Sequence, residues 1–172
     1  KTIIITLFLI TTHCCAQYKV EWSAIHSSVG QISIDKAEYI AIDGDGNAIV
    51  TGVTNGDGLG DNITTIKYDK SGNSLWVAVY NGSGNYNDRP YGIAIDHLSN
   101  IYITGGSTGD NGTATDIITI KYSSGGIQQW DKRYASKGGI LDESRSILVD
   151  QFGNVYITGF AGHIVTDNSG LD

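Results

Sequence analysis

The sequence predicts an all-β chain built of repeated four-stranded antiparallel units, and three observations predict it. The first is a gapless repeat: "IAIDGDGNAIVTG" (40–52), "IAIDHLSNIYITG" (93–105) and "ILVDQFGNVYITG" (147–159) recur at spacings of 53 and 54 residues. The second is punctuation in step with that repeat, with Trp22, Trp76 and Trp130 each 54 apart and Asp35, Asp88 and Asp142 at matching positions ahead of the three segments. The third is composition. At 40% hydrophobic, with 23 Gly and one Pro, the chain is too apolar for disorder and too glycine-punctuated for helices. No segment of any length carries helical periodicity.

Each unit divides into four short runs bounded by turn residues. Strand a, "YIAI" (39–42) and its copies, is continuously apolar with Ala41 and Ala94 at its centre, the pattern of a strand covered on both faces. Strand b is "AIVTG", "IYITG" or "VYITG". Strand c is "ITTIKY" or "IITIKY", in which Ile118, Ile120 and Tyr122 fall on one side of the pleat and Ile117, Thr119 and Lys121 on the other. Strand d contains "SLWVAVY" (74–80) or "QQWDKRY" (128–134). Asp-x-x-Gly-Asn joins a to b, and "DKSGN" or "SSGG" joins c to d. Four antiparallel strands in a repeated unit of about 40–50 residues make a β-propeller blade.

The order of strands predicts an incomplete ring. "YKVEW" (18–22) is a strand d ahead of any strand a, residues 35–80 and 88–134 are whole blades, and 142–172 are a partial blade holding strands a and b. Partner strands that close the ring are expected outside this sequence.

These repeats resemble the SBBP, or seven-bladed β-propeller, repeat family of bacterial secreted proteins. The resemblance is carried by "AIDGDGNAIVTG" (41–52), "TIKYDKSGNSLW" (65–76) and their copies, and covers Tyr18 to Asp172. It implies a propeller on an exported and often larger protein, and it brings no catalytic residues with it. Two positions depart from the pattern: Asn100 lacks the Gly that precedes Asn47 and Asn154, and His26 stands where Tyr80 and Tyr134 stand.

Export is expected from the first residues as well. "KTIIITLFLITTHCCAQ" places a basic residue before the apolar run Ile3 to Ile10 and ends on small residues, the pattern of a signal peptide (1–16) cut after Ala16. Acylation of Cys14 or Cys15, as in a lipoprotein, is disfavoured by bulky His13. The apolar run is far short of the about 20 residues that span a bilayer. Cleavage removes both cysteines, so the mature chain holds neither a disulfide nor a thiolate metal site. The net charge of −7 becomes −8 without Lys1. With a pI near 4.8 and no basic run, the phosphate-neutralising surface of a nucleic-acid binder is missing.

Three motifs suggest chemistry, and each has a plainer reading. "GGSTG" (105–109) has the spacing of a hydrolase nucleophile around Ser107, but that elbow needs a helix to follow, and a polar loop follows instead. "DGDGN" (43–47) aligns Asp43, Asp45 and Asn47 like the first half of a calcium loop, yet lacks the bidentate Glu downstream. The plainer reading is a tight a–b turn capped by its Asp. "DKSGNSLW" (69–76) is similar to the Asp-box of sialidase propellers, with the wrong Asp, Gly and Trp spacing. Trp76 and Trp130 read as packing residues between blades.

Function is expected in the loops, which differ more between units than the strands do. Propeller geometry puts the b–c and d–a loops on one face, and Asp57, Asn62, Asn87, Asp110, Asn111 and Asp116 are expected to offer it hydrogen bonds. The reading is an exported binding, adhesion or structural module of a larger protein, with a protein or glycan ligand, no cofactor and no catalytic site in this segment. The alternative is the non-catalytic portion of a propeller lyase or hydrolase acting on extracellular glycans.

Overall fold

The computed structural model describes residues 3–9, 19–26, 35–55, 60–109, 112, 114–137 and 141–162. Every regular element among them is a strand: β1 (Ile3–Leu9), β2 (Lys19–His26), β3 (Lys36–Ile42), β4 (Ala48–Thr54), β5 (Asn62–Tyr68), β6 (Ser74–Tyr80), β7 (Asp88–Ile95), β8 (Ile101–Thr108), β9 (Thr115–Tyr122), β10 (Gln128–Tyr134), β11 (Asp142–Val149) and β12 (Val155–Ala161). They form two four-stranded antiparallel sheets, β3-β4-β5-β6 and β7-β8-β9-β10, and two pairs, β1-β2 and β11-β12. The two sheets are whole blades with strands a to d in chain order, and β11-β12 supplies strands a and b of the next. Strands a of successive units (β3, β7, β11) lie beside one another, so they face the axis and strands d face outward.

Side-chain alternation explains how the blades stack. One face of the first blade presents Ile49 and Ile63, and the facing side of the second presents Ile101, Ile103, Ile118, Ile120 and Tyr122, all buried in one cluster. Trp76, Ala78 and Tyr80 cover its outer end and Ile93 and Ile95 its inner end. Burying each isoleucine contributes roughly 1.5–3 kcal/mol. The other face of the first blade, through Val50, Ile66 and Tyr68, packs against Trp22 and Ala24 of β2.

The expectation that strand a is covered on both faces is corrected here. Strands b and c are the ones so covered: β4 is buried at every residue and β5 at all but its first. Strand a is an edge strand beside the axis, and in β3 Ile40 and Ile42 remain about half exposed. A blade's middle strands gain neighbours on both edges and both faces, whereas an apolar run at an edge records only what it could bury.

The glycine that ends each "TG" in strand b has a steric cause. Strand a is irregular opposite it, between Ala37 and Tyr39, Pro90 and Gly92, and Ser144 and Ser146. This bulge presses the strand a backbone inward, so a Cβ at Gly52, Gly105 or Gly159 would run into the carbonyl of Lys36, Arg89 or Glu143. Pro90 is accommodated at the same irregularity, where the ladder is already interrupted.

One turn design recurs four times. Asp43, Asp69, Asp96 and Asp150 each accept backbone N–H bonds from the residues two and four ahead and a side-chain N–H from the Asn four ahead. The residue before that Asn has positive φ: Gly46, Gly72 and Gly153, with Ser99 adopting +60° where glycine is absent. These hydrogen bonds hold Asp69 and Asp150 below the usual carboxylate range, and at Asp96 the Asn100 and Tyr102 bonds outweigh the upward push of burial.

Asp43 differs from its copies because Ile49 stands where Tyr102 and Tyr156 reach the carboxylates of Asp96 and Asp150. Its partner is instead Lys67 Nζ at 2.8 Å, with both side chains buried. Lys67 also donates to the Ser124 carbonyl of the second blade at 3.2 Å, and Trp76 Nε1 donates to that same oxygen at 3.1 Å. The turn, strand c and the neighbouring blade are thus clipped together by one ammonium. In the second blade Lys121 lies over the Tyr102 ring instead.

Two measurements follow. Gly105→Ala should destabilise the chain by about 2–3 kcal/mol, since strand backbone and not a flexible side chain must yield; an unchanged denaturation midpoint would contradict the close approach. Burial pushes the Asp43 carboxyl up, but Lys67 and Asn47 prevail and hold it at about 2. Its contribution is therefore complete above the ordinary carboxylate pKa near 4 and lost as pH falls towards 2. Asp43→Asn should cost about 3 kcal/mol at pH 7, and denaturant titrations should show that gap closing between pH 4 and 2.

Candidate functional site

The loop between β6 and β7 is the best-defined part of the face shared by b–c and d–a loops. Its shape is set locally: Asn85 takes a positive φ of 51°, its N–H bonds the Gly82 carbonyl, and Asn81 Nδ2 donates to Asn85 Oδ1 at 2.8 Å. The chain then passes between two b–c loops. Asp61 N–H donates to Asn87 Oδ1, Asp88 N–H to the Asp61 carbonyl, and Thr108 N–H to the Asn87 carbonyl. Blades one and two are stapled at this point.

Tyr86 stands at the centre of that junction and is 42% exposed. Its backbone crowds Gly60 on one side, and its ring lies against Gly112 on the other, where any Cβ would collide with the ring carbons. A large aromatic surface is thereby held in place while still facing solvent. Beside it Arg89 Nη2 pairs with Asp61 Oδ2 at 2.6 Å, with the Arg89 side chain half exposed. Asn55 Nδ2 also reaches Asp61.

Towards the axis the first residues of strands a add charge. Burial pushes the Glu38 carboxyl up, against the pull of Arg89 and Lys36. Burial likewise raises Tyr91, with Glu143 adding to it. Glu143 pairs with Arg145 at 3.1 Å, and the Arg145 guanidinium lies over the Phe160 ring. An anchored aromatic flanked by an ion pair, amides and alternating charges can stack on an apolar ligand face and hydrogen-bond its polar edge.

The residues singled out from the sequence are distributed unevenly around this site. Asn87 belongs to it. Asn62 opens β5 opposite Thr54, and Asp116 pairs with Arg133 Nη1 at 2.9 Å. Asp57, Asp110 and Asn111 lie outside the described residues. Asp43 and Asn47 are engaged with each other, while Asp45, the third of the calcium trio, is exposed in the turn. Among the described residues no three His, Cys, Asp or Glu side chains gather around a common point. Tyr86 was missed, although an aromatic inside the polar run "NGSGNYND" was the available signal.

Ser107 is fully buried near the end of β8, and a strand rather than a helix takes up the chain at Thr115. Its Oγ accepts from Arg133 Nη2 at 2.6 Å and its carbonyl from Arg133 Nη1. Asp88 lies beside it, also fully buried, accepting the Gly82 N–H at 2.7 Å; burial raises its pKa against that bond and against Ser107 and Arg133. The equivalent Asp142 accepts from Ser136 N–H and Oγ and from Gly162 N–H. This recurring carboxylate ties the d–a loop to the head of the second blade and of the β11-β12 pair. Trp76 meets Tyr122 across the blade boundary, as expected, whereas Trp130 meets Tyr102 within its own blade.

Comparison with known proteins agrees with this architecture. The chain is similar to an uncharacterized WD repeat-containing protein, L264, of Acanthamoeba polyphaga mimivirus, at 27% identity over 124 residues, covering 59% of this chain. It spans only 9% of that relative's length. Residues 79–113 and 132–162 match the SBBP family, described as a beta-propeller repeat. Each match begins near the end of a strand d and runs through the following d–a loop and a–b hairpin. The first matched loop joins the two complete four-stranded blades and the second joins the second blade to the β11-β12 pair, so both matched stretches are β-propeller repeats of the SBBP kind in sequence and in structure.

Proposed function

We propose that this chain is a non-catalytic binding module of a larger exported protein, and that it holds a glycan or protein ligand on the b–c/d–a face around Tyr86. The observation that carries this reading is the Tyr86 junction: a solvent-facing aromatic fixed against two glycines, with Arg89, Asp61 and Asn87 arrayed beside it. Pre-anchoring lowers the entropy cost of binding. Export is supported by the apolar run behind Lys1 and its small-residue ending. The non-catalytic reading is supported by the burial of Ser107 and by the use of Asp43, Asp88 and Asp142 in holding turns and loops. Among the described residues no helix is long and apolar enough to cross a membrane.

Calcium is not expected as a tight ligand of the 43–47 turn. Lys67 already occupies the Asp43 carboxylate, and Asn47 points its amide N–H, not its oxygen, at that group. A hard cation would have to displace a buried ammonium and still find most of its oxygen shell elsewhere.

Adsorption to immobilised extracellular polysaccharides and matrix proteins tests the binding reading. Tyr86→Ala and Arg89→Ala should each weaken adsorption about tenfold or more while shifting unfolding free energy by no more than about 1 kcal/mol. Adsorption unchanged by both variants would move the ligand to another face. Calorimetric titration with calcium should show no saturable heat at micromolar concentrations. A micromolar site removed by Asp45→Ala would overturn the turn-only role of 43–47.

A further inference from the structure

We propose that the buried carboxyl of Asp88 is a proton-operated latch on the loop that carries Tyr86, closed when its Oδ1 bears a proton and donates it to Ser107 Oγ, and loosened when that proton leaves. The assignment rests on two equivalent sites, 54 residues apart, at the heads of β7 and β11. In the later one both oxygens of Asp142 are saturated. Oδ2 accepts the Ser136 N–H at 2.6 Å, and Oδ1 accepts the Ser136 hydroxyl at 2.7 Å and the Gly162 N–H at 3.0 Å. In the earlier one Asp88 Oδ2 accepts the Gly82 N–H at 2.7 Å, but Oδ1 has no hydrogen-bond partner, although the residue is wholly buried.

The sequence explains the difference. Gly82 stands where Ser136 stands, so the hydroxyl donor is missing. Thr108 stands where Gly162 stands, and its N–H goes to the Asn87 carbonyl at 3.0 Å instead. No side chain can grow from residue 82 to replace them, because a Cβ there would lie 2.7 Å from Ser107 Oγ and 3.0 Å from Asp88 Oδ1. Ser107, in the place of Ala161, fills that space, and its Oγ already accepts from Arg133 Nη2 at 2.6 Å. Two accepting oxygens thus border one enclosed spot. A proton on Oδ1 makes them donor and acceptor, since a hydroxyl oxygen can accept twice. Without it a carboxylate oxygen is buried unpaired, which is unfavourable. Water can supply the missing donor only where the loop lifts off the head of β7.

Charged and titratable groups face Asp88 from four strands. Arg133 of β10 and Tyr80 of β6 flank Ser107, Asp131 of β10 lies near Tyr80, and Asp116 of β9 pairs with Arg133. Arg89, next to Asp88 on β7, pairs with Asp61. Burial raises the Asp88 pKa and outweighs the Gly82 bond, Ser107 and Arg133, which lower it. The folded chain therefore keeps a proton that the unfolded chain has lost. Its stabilisation is complete below the ordinary carboxylate pKa near 4 and is lost as pH rises through the higher folded value. That slope is opposite to the one Asp43 produces. Gly82 also accepts the Asn85 N–H, so a change at Asp88 is passed along the loop to Tyr86. The latch does not rest on the ligand reading.

Titration of the full chain tests it. Carbon-13 NMR of the Asp88 carboxyl should place its midpoint above the ordinary value near 4. The Gly82 amide, corrected for intrinsic exchange, should lose protection about tenfold as pH rises through that midpoint, while β8 and β9 keep theirs. Asp88→Asn, with an amide N–H in place of the proton, should hold Gly82 protected throughout and unfold at no lower urea concentration than the parent at pH 7. Asp142→Asn sets an amide against three donors and should unfold at lower urea. Burial raises Glu38 too, and Glu38→Gln should leave Gly82 exchange unchanged. The NMR midpoint decides alone should Asp88→Asn fail to fold. A midpoint at or below 4, Gly82 protection indifferent to pH, or equal destabilisation by the two asparagine variants would overturn the proposal.

Discussion

Ile49 and Ile63 of the first blade meet Ile101, Ile103, Ile118 and Ile120 of the second in a layer from which water is excluded entirely. A four-stranded blade is too thin to have an interior of its own, so its apolar side chains are buried only where a second blade lies against it. Two consequences follow. Strands b and c carry the densest burial, and polar groups at the boundary need partners across it. Lys67 and Trp76, both donating to the Ser124 carbonyl, meet that last requirement.

The blade ends are governed by hydrogen bonding rather than burial. Four Asp-to-Asn turns use the same geometry whether the carboxylate is buried, as at Asp43, or partly exposed, as at Asp69 and Asp150. Buried Asp88 and Asp142 do comparable work at the opposite end, gathering the d–a loop onto the head of strand a. Six of the 18 acidic residues, Asp43, Asp69, Asp88, Asp96, Asp142 and Asp150, thus serve as turn and loop clamps. With both ends so constrained, the Tyr86 junction can present an aromatic ring to solvent without collapse.

The edges of the array carry the same logic further. Strand β2 is fixed to the first blade by Trp22 and Ala24 and pairs with β1. Strands β11 and β12 pair only with each other among the described residues, and about half of their side chains stay exposed, while Ile147 lies against Gly92 and Ser144 Oγ donates to the Gly105 carbonyl of the second blade. Each is a half-built blade whose remaining surface is specified by the blade beside it.

The sequence by itself determined the repeat, the strand order within each blade and the turns, because spacing of Trp, Asp and Gly-Asn records local backbone geometry that neighbours in the chain enforce. "SLWVAVY" and "QQWDKRY" coincide with β6 and β10 for that reason. The capping role of Asp43 in "DGDGN" was likewise local and legible. What only the tertiary structure decided is where strands from different units come together. The run "YIAI" looked doubly covered, but burial depends on which edge faces the axis. Of the six loop residues expected to bind, Asn62, Asn87 and Asp116 are described, and among these Asn87 joins the site. Tyr86 became a candidate through Gly60 and Gly112, residues contributed by two other loops.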